Sequence, residues 1–158
     1  MSSPIAFAPR PPSEIEWEEL LVRYEIGPRA LRIALDDGDA NGPARQRACD
    51  LLRALVFNEL WTAAQFEAMR AGIPVSDDQS PRTEVLPDEP RALIDRFERL
   101  RSRNFAAVQR RGLEVWGWHT EAHPHGQVTA HQLIQASVAL DGETLASVRE
   151  ALRGAGVG

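Results

Sequence analysis

The sequence predicts an all-α fold, a four-helix bundle with long crossover connections. Four segments repeat apolar residues three and four positions apart, which is the spacing of residues on one face of a helix. The connections at 73–87 and 113–127 contain prolines and glycines, and no run alternates apolar and polar residues as a half-buried strand does. Amphipathic helices joined by long connections are typical of a bundle.

The chain has 158 residues, which fits one domain that can bury a core without disulfides. We expect an extended, proline-rich arm over residues 1–13, tethered by Ile5 and Phe7, and a single helical bundle over residues 14–158. The one cysteine cannot form an internal disulfide, and no apolar run approaches the roughly 20 residues that span a bilayer. The first residues do not resemble a signal peptide. These features predict a cytoplasmic protein with no membrane partner.

The net charge of −5 argues against nucleic acid as a partner, because phosphate binding needs a concentrated basic surface. All 18 basic residues are arginines, and many fall in the third helical segment among acidic residues. Opposite charges that pair three or four positions apart on a solvated face account for this pattern. The arginines of this segment are Arg91, Arg96, Arg99, Arg101, Arg103, Arg110 and Arg111.

The first helix is predicted at roughly 14–36. Ser13 precedes it and Glu16 stands three positions later, which is the spacing of a capping box. Gly27 and Pro28 interrupt the apolar pattern, and proline cannot donate the hydrogen bond to the preceding turn. We therefore expect either a kink or two shorter helices.

The second and third helices are bounded by proline, glycine and a capping residue. Pro43 suits a first helical position, and the apolar pattern that starts there continues until Gly72. Asp88 is the candidate cap of the third helix, and Gly112 closes it.

The fourth helix, in the stretch 128–152, has the most regular pattern. Thr129 and Gln132 have capping-box spacing at its start. Steps of three and four residues predict one inward face. That face comprises Leu133, Ser137, Leu140, Thr144 and Val148.

Three stretches carry a resemblance to a known family. In the second helix, DLLRALVFNELW contains Glu59 and then the aromatic Trp61, and in the third, RLRSRNFAAV ends an arginine-rich run in asparagine and apolar residues. The stretch GWHTEAHPHGQVTAHQLIQASVALDGETLASV runs from a histidine-containing loop into the fourth helix. Together they resemble the DinB-like family of four-helix bundles, which includes metal-dependent hydrolases and thiol S-transferases. The resemblance spans most of residues 14–152.

The resemblance implies three positions that hold metal-binding histidines in relatives, one in the second helix and two in the fourth. Here they are occupied by Ala54, Leu140 and Thr144. Alanine and leucine offer no lone pair to a metal ion, so we expect no metal and no cofactor. The alternative is zinc or nickel held by atypical ligands. The candidates for such ligands are the loop residues His119, His123 and His125, or Glu59 with Asp141.

Polar residues on the inward faces outline a candidate pocket. A carboxylate at Glu59, within an apolar stripe, needs a partner. It is either a general base or ligand anchor with a raised pKa or, as we favour, a structural residue held by a hydrogen bond or by a salt bridge with an arginine. Asn104, Ser137, Asp141 and Thr144 either line a small polar pocket or, as we favour, form a hydrogen-bonded core network. The candidate pocket comprises Glu59, Asn104, Ser137, Leu140, Asp141, Thr144 and Trp118.

Four further residues have structural interpretations. Trp116 and Trp118 are predicted to plug one end of the core rather than to form a lid. Cys49 is predicted to be a small buried hydrophobe, and His131 to lie on the surface of the fourth helix.

These observations predict a non-catalytic ligand-binding or interaction protein with a small-molecule ligand. The resemblance also implies a homodimer. One alternative is a metal-dependent hydrolase or thiol S-transferase that uses atypical ligands. The other is metal-free acid–base chemistry around Glu59.

Overall fold

The computed structural model describes residues 7, 10–38, 41–72, 85–110, 112–121 and 126–156. Within these residues the chain forms four α-helices, one short 3-10 helix and two short strands. Their bounds are α1 (Glu14–Asp37), α2 (Gly42–Ala71), α3 (Pro90–Gln109), the 3-10 helix (Leu113–Gly117), β1 (His119–Glu121), β2 (Gln127–Thr129) and α4 (Ala130–Gly156). The predicted all-α bundle is confirmed at this level. None of the described helices has the length and apolar character needed to cross a membrane.

The four helices form a square. Helix α1 packs against α3 and α4, and α2 packs against the same two helices. Consecutive helices α1 and α2 are therefore diagonal neighbours, and so are α3 and α4. Each helix consequently presents one stripe to a shared core.

The capping signals at two helix starts are confirmed. The Ser13 hydroxyl accepts a hydrogen bond from the Glu16 N–H at 3.1 Å. At the start of α4 the exchange is reciprocal, because the Thr129 hydroxyl accepts from the Gln132 N–H at 3.1 Å and the Gln132 side chain accepts from the Thr129 N–H at 2.8 Å. Both helices therefore begin where unpaired N–H groups find acceptors.

The cap of α3 differs from the prediction. Glu89, rather than Asp88, accepts hydrogen bonds from the N–H groups of Arg91 and Ala92, at 3.1 and 2.8 Å. Pro90 stands at the first helical position, which fixes Glu89 as the residue before the helix.

Helix α1 is one element, so the expectation of two shorter helices is wrong. Pro28 lies inside it and is buried. A proline has no N–H, so the carbonyl of Tyr24, four residues earlier, lacks its helical donor. The helix continues because another residue supplies that donor, as described below.

The connection at 113–127, predicted as a loop, contains ordered backbone. The segment Leu113–Gly117 is a 3-10 helix, and β1 pairs antiparallel with β2 in the register His119 with Thr129, Thr120 with Val128 and Glu121 with Gln127. Strands of three residues are too short for an alternating pattern to be recognised in the sequence. The other long connection is described only at 85–87.

The arm is tethered through its backbone. The Gln132 side chain donates a hydrogen bond to the carbonyl of Phe7 at 2.6 Å. Phe7 therefore anchors the arm to the start of α4, as predicted, whereas Ile5 lies outside the described residues.

The core consists of two apolar clusters separated by a polar layer. The first contains Leu31, Leu52, Leu55, Phe97 and Leu140, among others, and the second contains Trp17, Tyr24, Phe66, Val108 and Ile134, among others. Along α2, α3 and α4, polar residues occupy the buried positions between the two clusters. These residues are Glu59, Thr62, Arg101, Asn104 and Ser137, with Asp141 beside them.

Candidate functional site

An arginine lies at the centre of the bundle. Arg101 is only 1% exposed, so its predicted place on the solvated face of the third helix is wrong. Its position in the sequence carried the signal, because it follows the buried Phe97 by four residues and precedes the buried Asn104 by three. The prediction for Arg101 follows its charge, whereas its helical spacing indicates a buried position.

The guanidinium of Arg101 uses all of its hydrogen-bond donors. Its Nε and Nη2 donate to Oε1 of Glu59 at 2.9 and 2.7 Å. Its Nη1 and Nη2 donate to the two carboxylate oxygens of Asp141 at 2.7 and 2.9 Å. The remaining N–H of Nη1 donates to the Tyr24 carbonyl at 2.6 Å. A guanidinium has five N–H groups, and each has an acceptor here.

The second oxygen of Glu59 is also occupied. Oε2 accepts from the Asn104 amide at 2.8 Å and from the Tyr24 hydroxyl at 3.4 Å. The same amide nitrogen donates to the Glu59 carbonyl at 3.0 Å. Glu59 is fully buried, and its predicted salt bridge with an arginine is confirmed.

We call this arrangement the arginine cluster; it comprises Tyr24, Glu59, Arg101, Asn104 and Asp141. Two residues of α1, Gly27 and Pro28, allow it to form. Pro28 leaves the Tyr24 carbonyl without its helical donor, and Arg101 replaces that donor. Gly27 lets α4 approach, because a Cβ at that position would overlap Oδ2 of Asp141 and lie 3.0 Å from its Cγ. Gly27 and Pro28, which predicted a break in the helix, are therefore the residues at which α1 contacts the arginine cluster.

Burial sets the protonation of the arginine cluster. It raises the pKa of Asp141 to about 6, against the opposing effect of the Arg101 charge, and Glu59 adds to the rise. Burial alone would lower the pKa of Arg101, but the two carboxylates outweigh it and hold the pKa above its usual value. Tyr24 and Phe97 stack on the guanidinium, whose central carbon lies 4.2 and 4.9 Å from their ring centres. Arg101 therefore stays charged, and Asp141 titrates at a higher pH than an ordinary aspartate.

The candidate pocket is only partly assembled. Glu59, Asn104 and Asp141 belong to the arginine cluster, and the Ser137 hydroxyl accepts a hydrogen bond from Asn58 at 3.1 Å. Leu140 packs in the first apolar cluster, and Thr144 is buried. The described residues at the centre of the bundle thus form a packed, hydrogen-bonded network.

The three positions that the resemblance assigns to metal ligands do not share an inward face. Ala54 is exposed on α2, whereas Leu140 and Thr144 are buried on α4. Each residue of a helix is rotated by about 100° from its neighbour, so the inward position of Leu55 places Ala54 outward. Ala54 therefore does not face the core, unlike Leu140 and Thr144.

The histidines are dispersed in the described residues. His119 is exposed on β1, and His123 and His125 lie outside the part of the chain that the structure describes. Among the described residues, no three His, Cys, Asp or Glu side chains form a group able to hold a metal ion. His131, predicted on the surface, is 3% exposed, because α1 covers the start of α4 and Trp17 lies 6.0 Å from its ring. Burial lowers the pKa of His131.

The predicted structural roles of the tryptophans and the cysteine are confirmed. Trp116 and Trp118 pack against the second apolar cluster. Cys49 is buried within the first cluster, and burial raises the pKa of its thiol. A raised pKa leaves little thiolate, so Cys49 lacks the activation that a nucleophile needs.

A groove of about 720 Å³ lies on the surface between α2 and α3, directly beside the arginine cluster. Its walls combine aromatic and small apolar residues with three arginines and one glutamate. The lining residues are Ala63, Phe66, Glu67, Arg70, Arg103, Asn104, Ala106, Ala107, Arg110 and Trp118. Asn104 and Trp118, two members of the candidate pocket, thus line this groove.

We call this surface the α2–α3 groove. It carries more positive than negative charge, because three arginines and one glutamate line it. Arg70 pairs with Glu67, with its Nε 3.1 Å from Oε2. Arg103 and Arg110 are exposed and form no ion pair within the described part of the chain. Two guanidinium groups therefore remain available beside an apolar wall.

Comparison with known proteins returned no match for this chain. No family model matches it, and no curated protein or solved structure does. The function is therefore inferred from the site itself.

Proposed function

We propose that the chain is a DinB-like bundle that binds a small anionic ligand in the α2–α3 groove and does not catalyse a reaction at the centre of the bundle. The observation that carries this proposal is the placement of Arg103 and Arg110 over the apolar wall of the groove. The arginine cluster behind the wall serves to hold the helices in place.

The arginine cluster has the bonding of a structural element. Every guanidinium N–H of Arg101 and all four carboxylate oxygens are occupied by partners within the chain. The three charged side chains are at most 8% exposed, so they are almost closed to a substrate. In this proposal the guanidinium of Arg101 is the cation at the centre of the bundle, where relatives place a metal ion.

The α2–α3 groove has the chemistry of a binding site. Ligand sites are concave and mostly apolar, with a few polar groups that fix orientation, and their volumes are roughly 300–1,000 Å³. Phe66 and Trp118 supply aromatic surface, and Asn104 adds an amide. A guanidinium binds a carboxylate, sulfonate or phosphate through two parallel hydrogen bonds. The ligand that fits is therefore an aromatic or apolar molecule with one anionic group.

A pair of fluorescent probes tests the proposal. 8-Anilinonaphthalene-1-sulfonate carries an anionic group, whereas N-phenyl-1-naphthylamine is a neutral molecule with similar rings. We expect the anionic probe to bind the chain at a one-to-one ratio and more tightly than the neutral probe. Since a hydrogen bond to a charged group contributes roughly 1.5–3 kcal/mol, Arg103→Gln with Arg110→Gln should weaken binding of the anionic probe by at least about tenfold.

The matched control is Arg45→Gln with Arg47→Gln, which also removes two exposed arginines. Both lie on α2, and Arg47, the nearer of the two, stands 19 residues before Phe66, or about 28 Å along the helix. Binding of the anionic probe should be unchanged in this variant. Equal loss of affinity in both variants would show only a response to net charge and would contradict the proposal, as would stoichiometric zinc or nickel in the purified chain.

A further inference from the structure

A second cavity, of about 560 Å³, lies between the C-terminal parts of α1 and α4. Apolar and small residues line it together with one acidic and two basic side chains. The residues on which its chemistry depends are Ile33, Asp37, Gly38, Arg149, Leu152 and Arg153. We call this surface the α1–α4 cavity. It shares no residue with the α2–α3 groove, so the two sites are separate.

The charged side chains of the α1–α4 cavity do not neutralise one another. Asp37, Arg149 and Arg153 are exposed, and none of them belongs to an ion pair within the described part of the chain. Opposite charges thus line the same cavity without contact between them. The cavity therefore offers one carboxylate and two guanidinium groups to a ligand.

Asp37 stands at an unfavourable place in its own helix. Unpaired carbonyl groups make the C-terminal end of a helix negative, so a cation is favoured there and an anion is not. The last turn of α1 ends in Asp36 and Asp37 and contains no basic residue. Asp36 lies 3.4 Å from the guanidinium of Arg91, whereas Asp37 has no such partner among the described residues. Departures from local rules are expected at functional sites, so Asp37 is a candidate binding group for a cation.

The packing of α1 on α4 sets the heights of these charges. A Cβ at Gly27 would overlap the Asp141 side chain, and a Cβ at Gly38 would overlap that of Leu152. Both partners on α4 lie 114 positions later in the chain, so the two helices run parallel in one register. Position 37 is therefore level with position 151, midway between the two arginines. At 1.5 Å per residue, each arginine stands about 3 Å from the height of the carboxylate.

We propose that the α1–α4 cavity binds an α-amino acid with an apolar side chain. Arg149 and Arg153 are four residues apart on one face of α4, which lets both guanidinium groups reach a single carboxylate. An α-amino acid carries its ammonium group one carbon away from that carboxylate, and Asp37 accepts it at the same height. Ile33 and Leu152 supply apolar surface for the side chain. A dianion or an extended peptide would place its charges at different heights.

Three probes with the same carbon skeleton test the proposal. L-Leucine carries both charges, L-leucinamide carries only the ammonium group, and 4-methylpentanoate carries only the carboxylate. Titration of the ¹⁵N-labelled full chain to about 20 mM of each probe, at constant ionic strength, follows the amide signals of Gly38 and Ala146, which line the cavity. We expect L-leucine to bind with a dissociation constant of about 1 mM. Each of the other probes should bind at least about tenfold more weakly, because it loses a hydrogen bond between charged groups.

Two variants separate the roles of the acidic and basic side chains. Asp37→Asn should weaken binding of L-leucine about tenfold and should not weaken binding of 4-methylpentanoate, because only the ammonium group loses its partner. Arg149→Gln with Arg153→Gln should weaken binding of L-leucine and of 4-methylpentanoate but not of L-leucinamide. All three residues are exposed, so the helices should be retained.

Matched controls remove the same charges outside the cavity. Glu150→Gln removes an exposed carboxylate of α4, and Arg45→Gln with Arg47→Gln removes two exposed arginines of α2. Both controls should bind L-leucine as the wild type does. Three results would overturn the proposal: no shift of the Gly38 signal at 20 mM L-leucine, binding of 4-methylpentanoate as tight as that of L-leucine, or equal losses in the variants and their controls.

Discussion

Replacement of Arg101 by methionine tests the arginine cluster most severely. Methionine keeps much of the length of the side chain but removes the charge and all five hydrogen bonds. Glu59 and Asp141 then face each other without a cation in a site that is almost closed to water. Removal of one partner from a buried ion pair costs about 3–5 kcal/mol, since the remaining charge stays buried. We expect a loss of this size in the free energy of unfolding.

The loss is large relative to the stability of a domain, which is typically about 5–15 kcal/mol. For a chain of this length, 1 kcal/mol lowers the melting temperature by about 2–4 °C, so Arg101→Met should lower it by about 6–20 °C. Urea denaturation followed by circular dichroism gives the free energy directly. The matched control is Arg103→Met, an exposed site on the same helix, where the change should stay within about 0.5 kcal/mol.

Two further substitutions distinguish the cost of unpaired buried charges from the cost of lost packing in Arg101→Met. Glu59→Gln and Asp141→Asn, added to Arg101→Met, remove both buried charges and leave groups of similar volume. Replacement of a whole buried ion network by neutral residues is often close to neutral for stability. The triple variant should therefore recover at least about 2 kcal/mol relative to Arg101→Met. Two results would contradict the role of Arg101 as the partner of two buried carboxylates. One is an Arg101→Met variant whose free energy of unfolding lies within 1 kcal/mol of wild type, and the other is a triple variant that is less stable than Arg101→Met.

Two further changes probe the same cluster. Gly27→Ala should destabilise the chain by about 1–3 kcal/mol because its Cβ overlaps the Asp141 carboxylate, whereas Gly142→Ala, with no atom within 4 Å, should stabilise α4 by up to about 1 kcal/mol. If urea denaturation shows the same change in the free energy of unfolding for Gly27→Ala and Gly142→Ala, α1 and α4 do not approach as closely as described. Asp141 has a pKa of about 6 in the folded chain against an ordinary value of 3.8, so the folded chain binds this proton more tightly than the unfolded chain does. The contribution of Asp141 to the free energy of unfolding therefore falls as pH rises from about 4 to about 6. The stability of wild type minus that of Asp141→Asn should fall by about 2 kcal/mol over that range, and the contribution of His131 cancels in this difference. A flat difference would contradict the raised pKa.

The sequence predicted the four helices because local signals determine them. Capping residues at Ser13 and Thr129 satisfy the first N–H groups, and apolar spacing of three and four residues marks the buried faces. These features act within a few positions of the chain. The bounds of α1 and α2 accordingly lie within one residue of the prediction.

The arginine cluster was predicted only in part, because it depends on residues far apart in the chain. Glu59 was recognised as a carboxylate that needs an arginine, but nothing local identifies which of the 18 arginines it binds. Arg101 is 42 positions away from Glu59 and 40 from Asp141. The role of Pro28 depends on the same tertiary contact, since the carbonyl it leaves unpaired is satisfied only after α3 has packed on α1.

The most direct measurement of the central claim is the nuclear magnetic resonance spectrum of the arginine side chains in uniformly ¹⁵N-labelled protein. Exposed guanidinium protons exchange rapidly with water, whereas hydrogen-bonded buried protons are protected. We expect one arginine with a resolved Nε–H and four distinct Nη–H signals at neutral pH, all absent in Arg101→Met. A spectrum in which no arginine shows protected Nη protons would contradict a closed, fully hydrogen-bonded guanidinium at the centre of the bundle.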